Sequence, residues 1–85
     1  MQANPSTAVQ MYLQLGAFLS RVNAEQLCNK LAANQLDKSF IAEGPSGSHT
    51  VYRVRIGPLT TVEEADTLAT RVSELGMGTP SVVID

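Results

Sequence analysis

Apolar residues alternate from Val9 to Leu15. Met11, Leu13 and Leu15 fall on one side, and Gln10, Tyr12 and Gln14 on the other. A period of two marks a half-buried strand. Gly16 is expected to end it. A helical period follows, with Ala24, Leu27, Cys28, Leu31 and then Gln35 or Leu36 forming one apolar stripe. Asn23 is the expected N-cap, and Gln26 completes a capping box. A second strand is expected over residues 38–43, around Phe40, Ile41 and Ala42, in a run too short to show which residues face inward. Gly44-Pro45-Ser46-Gly47-Ser48 is turn chemistry throughout. Thr50 to Ile56 is the clearest strand, with Tyr52, Val54 and Ile56 on one face and Val51, Arg53 and Arg55 on the other. These two strands are expected to form a hairpin whose loop exceeds the tight two-residue type. Gly57-Pro58 is expected to stop the strand.

Thr61 and Glu64 then stand at capping-box spacing, with Glu63 and Glu64 well placed at a helix N-terminus. Ala65, Leu68, Ala69, Val72 and Leu75 give the second stripe, and Gly76 fits a helix stop. Ser81 to Ile84 is a short last strand. Residues 1–8 carry no apolar period and read as a linker or an appended remnant, leaving residues 9–85 as the folded unit.

The order is β-α-β-β-α-β. Each helix has a single apolar stripe, so both should cover one face of a four-stranded antiparallel sheet, an α+β fold of the ferredoxin-like or ribonucleoprotein-like kind. The other face is then open. By alternation it carries Tyr12 and Gln14 from the first strand and Val51, Arg53 and Arg55 from the third. Those strands are central in this arrangement, so Gln14 and Arg53 are expected side by side. An amide beside a guanidinium, with a ring nearby, suits hydroxyls, acetamido carbonyls and carboxylates. The plainer reading is of two solvated arginines on an exposed strand.

Composition narrows the choice. Six Lys and Arg against eight Asp and Glu in 85 residues give a formal charge of −2, unlike the strongly basic domains that bind by phosphate neutralisation. A chain this short buries only about 60–65 % of its unfolded surface, so its core must be well packed. One Cys excludes an intramolecular disulfide and a multi-Cys zinc site; Cys28, on the first stripe, reads as a structural thiol. His49 has no Cys or second His to join it. Asn23 reads mainly as a cap, with its helix start also able to point N–H groups at a ligand. Phe18 reads equally as a core plug or as a wall packing against a ligand, and Leu19 and Met77 stay open. Glu63, Glu64 and Asp66 sit together at one helix start and lack the opposed placement of a glycosidase pair. No apolar run approaches the ~20 residues of a membrane span.

An RNA-recognition-like module of the same order would need aromatic residues on its central strands, and aromatics are 5 % of this chain. A phosphatase-like enzyme would rest on Arg21, in a segment without a glycine-rich cradle. A protein–protein docking module stays open.

Tyr12-Leu-Gln-Leu-Gly-Ala-Phe18, Asn23-Ala24, Tyr52-Arg-Val-Arg-Ile-Gly-Pro-Leu59 and Glu64-Ala65 together resemble the SPOR domain. That family has a V-Q-x-G-S-F-type first strand, an N-A helix start, a Y-R-V-x-V-G-P-F third strand and an E-A second helix. The likeness runs from about residue 9 to 84. The sequence is most like the SPOR domain that closes the rare lipoprotein A proteins, where a lytic transglycosylase domain precedes it. The resemblance implies a non-catalytic, monomeric module of the bacterial periplasm and cell envelope, septal in location, and is compatible with a parent anchored to the outer membrane. It implies binding of peptidoglycan glycan strands stripped of stem peptides, with no nucleic acid, membrane contact or cofactor.

Carried over, the glycan contacts fall on Gln14, Ala17, Phe18 and Arg53, with Leu19, Asn23, Val51 and Arg55 around them. Ala17 stands where the family often has Ser, and Val51 where some members have an aromatic ring. With the stem peptide gone, the lactyl carboxylate is free for Arg53, at an affinity of about micromolar, or roughly −8 kcal/mol.

Overall fold

The computed structural model describes residues 10–85, so the readings for residues 1–8 and the start at Val9 lie outside the described part. The elements are β1 (Met11–Phe18), α1 (Arg21–Ala33), β2 (Ser39–Ser46), β3 (His49–Leu59), α2 (Val62–Glu74) and β4 (Ser81–Ile84). They form one antiparallel sheet in the order β2-β3-β1-β4, with β1 and β3 in the middle. The fold is the α+β arrangement expected from the period changes. Leu13, Val54 and Ile56 from the central strands meet Ala24 and Leu31 of α1 and Ala65 and Val72 of α2, with Leu36 and Leu59 closing the ends. Both helices therefore lie on the side that Leu13, Val54 and Ile56 face.

The first strand does not end at Gly16. It continues to Phe18 through a bulge: Gln14 lies opposite Arg55 and Gly16 opposite Val54, which leaves Leu15 as the extra residue. An extra residue reverses the alternation beyond it. Phe18, opposite Tyr52, therefore turns toward the helices, and Ala17, opposite Arg53, turns away from them. Both Leu15 and Phe18 pack on the core.

The third strand also outruns its expected stop. Between the pairs Met11–Leu59 and Leu13–Ile56, β3 carries an extra residue, so Gly57-Pro58 makes a second bulge and the strand resumes to Leu59. The hairpin is tighter than expected. Ser46 pairs with His49, so only Gly47 and Ser48 turn, and Gly47 takes φ 62°. A glycine with positive φ at the first position makes a two-residue connection feasible. Pro45 is tolerated inside β2 because that strand is a sheet edge.

Helix α1 is capped three residues earlier than expected. Ser20 is the N-cap, in extended conformation, and its Oγ accepts from the Asn23 N–H at 3.3 Å. Helix α2 starts as read: Thr61 Oγ1 accepts from the Glu64 N–H at 3.0 Å. The Glu64 carboxylate reaches back one residue further than a standard box, to the Thr60 N–H at 3.0 Å. Leu75, expected on the buried stripe, is 40 % exposed because α2 ends at Glu74 and Gly76 turns the chain away with φ 75°.

Candidate functional site

The face of the sheet without helices is built by register. Gln14 and Arg55 are direct partners, and the Arg55 Nε–H donates to Gln14 Oε1 at 3.1 Å. This corrects the expectation that Gln14 stands beside Arg53. The bulge at Leu15 moves the pairing, so Arg53 lies opposite Ala17 on one side and Ala42 on the other. Arg55 is also held by Asp85 Oδ2 at 2.9 Å, and its guanidinium lies 5.9 Å from the centre of the Tyr12 ring. Its side chain is 15 % exposed. Arg55 is therefore a fixed part of the surface rather than a free cation.

Tyr12 meets Phe40 edge to face, with ring centroids 5.5 Å apart. The sequence left the orientation of Phe40 open. Pairing of Ile41 with Val54 and of Phe40 with Arg55 decides it, placing Ile41 inward and Phe40 on the open face. A sequence signal for this was lacking, since three apolar residues in a row show no period. Val51 lies on the same face but is 8 % exposed, so it offers a ligand little surface. The guanidinium of Arg53 leans over Gly44: a Cβ there would come within 3.2 Å of its Nη1.

Phe18 and Asn23 lie on the other side of β1. They line a groove of about 450 Å³ together with Leu15, Gln26, Leu27, Lys30, Gly76 and Met77. Residues 23, 26, 27 and 30 are neighbours on one side of α1, which forms one wall. Asn23 is the third helical residue rather than the cap, so its exposed side chain is free to face a ligand. That helical spacing, counted from Asn23, is the signal that would have pointed to Gln26 and Lys30. Leu19, 68 % exposed, follows β1 where these two surfaces approach each other. The free stretch of β1 runs along the same boundary. β4 pairs only with Met11–Gln14, so Leu15 to Phe18 have no strand on that side. The bulge therefore divides the expected site residues: Gln14, Ala17, Val51, Arg53 and Arg55 go to the open face, and Phe18 and Asn23 to the groove.

Charge pairing separates the cations. Arg21 donates to Glu25 at 3.2 Å and to Glu43 at 2.6 Å, and it lies 5.8 Å from the Tyr52 ring centre. The hydrogen bond to Glu25, then the field of Glu43, raises its already high pKa. Lys38 pairs with Glu64 at 3.5 Å and Arg55 with Asp85. Among the described residues, Lys30, Arg53 and Arg71 have no carboxylate within ion-pair distance. Arg71 donates to the Asn34 carbonyl oxygen at 2.8 Å, while Lys30 borders the groove and Arg53 the open face. A smaller cleft of about 140 Å³ at the start of α2 is lined by the already paired Lys38 and Glu64. Cys28 is half-buried against the core.

A four-stranded antiparallel sheet with both helices on one side and a polar, partly aromatic face left open on the other is an open-faced α+β module. The particular family is the SPOR domain: its profile matches residues 9–84, and the chain belongs to it. The chain is 30 % identical over 73 residues to the endolytic peptidoglycan transglycosylase RlpA of Pseudomonas aeruginosa, a match covering 86 % of this chain and 21 % of that protein. It thus spans about a fifth of that relative. The crystal structure of the RlpA SPOR domain from the same organism superposes with a TM-score of 0.80 at 30 % identity, covering 86 % of this chain and 96 % of that one. The solution structure of the peptidoglycan binding domain of the B. subtilis cell wall lytic enzyme CwlC gives 0.76 at 28 % identity, covering 100 % of this chain and 99 % of that one.

Proposed function

We propose that this chain is a non-catalytic module that binds peptidoglycan glycan strands lacking stem peptides and so localises its parent protein to the division septum, within the bacterial cell envelope. The observation that carries the reading is the free half of β1, with Gln14 and Arg53 on one side and the Phe18–Asn23 groove on the other. The likeness to a peptidoglycan binding domain supports the polymer class.

A sugar strand alternates apolar ring faces with hydroxyls and acetamido groups. Leu15, Phe18 and Met77 suit the ring faces, while Asn23, Gln26 and the free β1 main chain suit the polar groups. Removal of the stem peptide exposes a lactyl carboxylate, and Arg53 is an unpaired cation positioned to accept it. A strand that keeps its peptides carries a bulky, amide-capped branch at every such point and cannot lie down along β1. The module would act on its own as a monomer of residues 9–85.

The test is a pulldown with sacculi, either untreated or stripped by an amidase. Stripped sacculi are expected to retain the domain and untreated ones to retain little. Arg53→Ala should weaken binding by about 1.5–3 kcal/mol, the range of a charged hydrogen bond, and Asn23→Ala by about 0.5–1.5 kcal/mol. Equal retention by both kinds of sacculi would reject the preference for stripped strands. Full binding by Arg53→Ala would take the carboxylate contact away from that residue.

A further inference from the structure

We infer that Arg55 fixes the Gln14 carboxamide as a hydrogen-bond donor toward the ligand, so that the open face requires N-acetylated sugar and rejects the de-N-acetylated form of the same strand. The inference rests on the glycan reading above and adds the substituent that this part of the site recognises.

An Arg Nε–H can only donate, so the Gln14 atom 3.1 Å from it is the carbonyl oxygen. The amide NH2 then points away from Arg55. A free glutamine would present either end to a ligand, whereas this one is committed. Arg55 itself cannot easily turn aside, because Asp85 holds Nη1 at 2.9 Å and the Tyr12 ring lies against the guanidinium. Tyr12 is braced in turn by Phe40. Arg53 stands two residues along β3 on the same face, about 7 Å away at ordinary strand rise, and adds donors only.

Asp85, the carboxylate of this patch, is already held by Arg55, so the groups left free between Gln14 and Arg53 are an NH2 and a guanidinium, both donors and one of them cationic. An acetamido carbonyl or a carboxylate satisfies them. A free amino group, protonated at neutral pH, offers no acceptor and meets like charge. Gln14 is accordingly a specificity residue and Arg55 a positioning residue behind it.

The experiment compares amidase-stripped glycan strands before and after enzymatic de-N-acetylation, with the wild-type chain, Gln14→Glu and Arg55→Met. The readout is the ratio of the two affinities, which cancels any loss of folded protein. The wild-type chain is expected to bind the acetylated strand at least about tenfold more tightly. Gln14→Glu keeps an oxygen for Arg55 but turns the second ligand-facing atom into an acceptor, so the ratio should fall toward one or reverse. Arg55→Met frees the amide to rotate and should also bring the ratio down. A wild-type ratio near one would overturn the inference while leaving the glycan reading intact. So would an unchanged ratio in both variants. Failure of the wild-type chain to bind either strand would overturn both.

Discussion

At Gly16 a Cβ would stand 3.2 Å from Phe18 Cζ and 3.3 Å from Cε2, so the Phe18 ring lies directly over the missing side chain. That fold-back carries Phe18 from the end of β1 into the groove wall. Gly16→Ala requires the ring to give by a few tenths of an ångström and should destabilise the domain by about 1 kcal/mol, the low end of overpacking, measurable by urea unfolding. Gly57 is the stricter case. It has φ 146°, and a Cβ would come within 2.8 Å of Tyr12 Cδ1 and 3.1 Å of the Met11 carbonyl oxygen, which is backbone and cannot yield. Gly57→Ala should therefore cost at least as much, about 1–3 kcal/mol from backbone strain alone, and should loosen the Tyr12–Arg55 contact as well. Both glycines were visible in the sequence as breaks in apolar runs. Neither looked like a residue inside a strand, because a bulge leaves no mark in the alternation until its partner strand is known.

At the scale of elements, the helix starts show what local chemistry decides. Thr61 caps α2 as the spacing indicated, and Thr61→Ala should lower stability by about 1 kcal/mol. The Thr60 N–H, chiefly, holds the Glu64 carboxyl below its ordinary value of 4.5, with Lys38 adding to the effect. A carboxylate with a lowered folded pKa contributes stability that is complete above its unfolded value and is lost as pH falls through the folded one. Acid unfolding should thus steepen below about pH 4.5, and Glu64→Gln should flatten that limb in a pH series of thermal melts. Helix α1 misled the reading because two acceptable caps, Ser20 and Asn23, stand three residues apart. The choice fell to Ser20, which lets Ala24 and Leu31 reach the core in register with β1 and β3. Asn23 was left exposed, and so available to the groove.

For the whole molecule, one small core holds both surfaces in place. Leu13, Leu31, Val54, Ile56 and Val72 are its largest fully buried side chains. Leu31→Ala should cost about 2–5 kcal/mol, a large part of the roughly 4–13 kcal/mol available to a domain of this length. A lowered unfolding midpoint in urea, with stripped-glycan binding lost in step, is the expected outcome. The exposed Arg21–Glu25 and Arg21–Glu43 pairs should matter little by comparison, since both partners stay in water.

The hydrophobic periods alone determined the order of elements, the two stripes and the face on which Gln14, Arg53 and Arg55 emerge. Those features follow from burial, which each segment encodes by itself. Which arginine meets Gln14, which way Phe18 and Phe40 turn, and which cations remain unpaired were decided only when the strands came together. A single extra residue at Leu15 shifts register and facing at once, and that shift is a property of two paired strands rather than of either sequence.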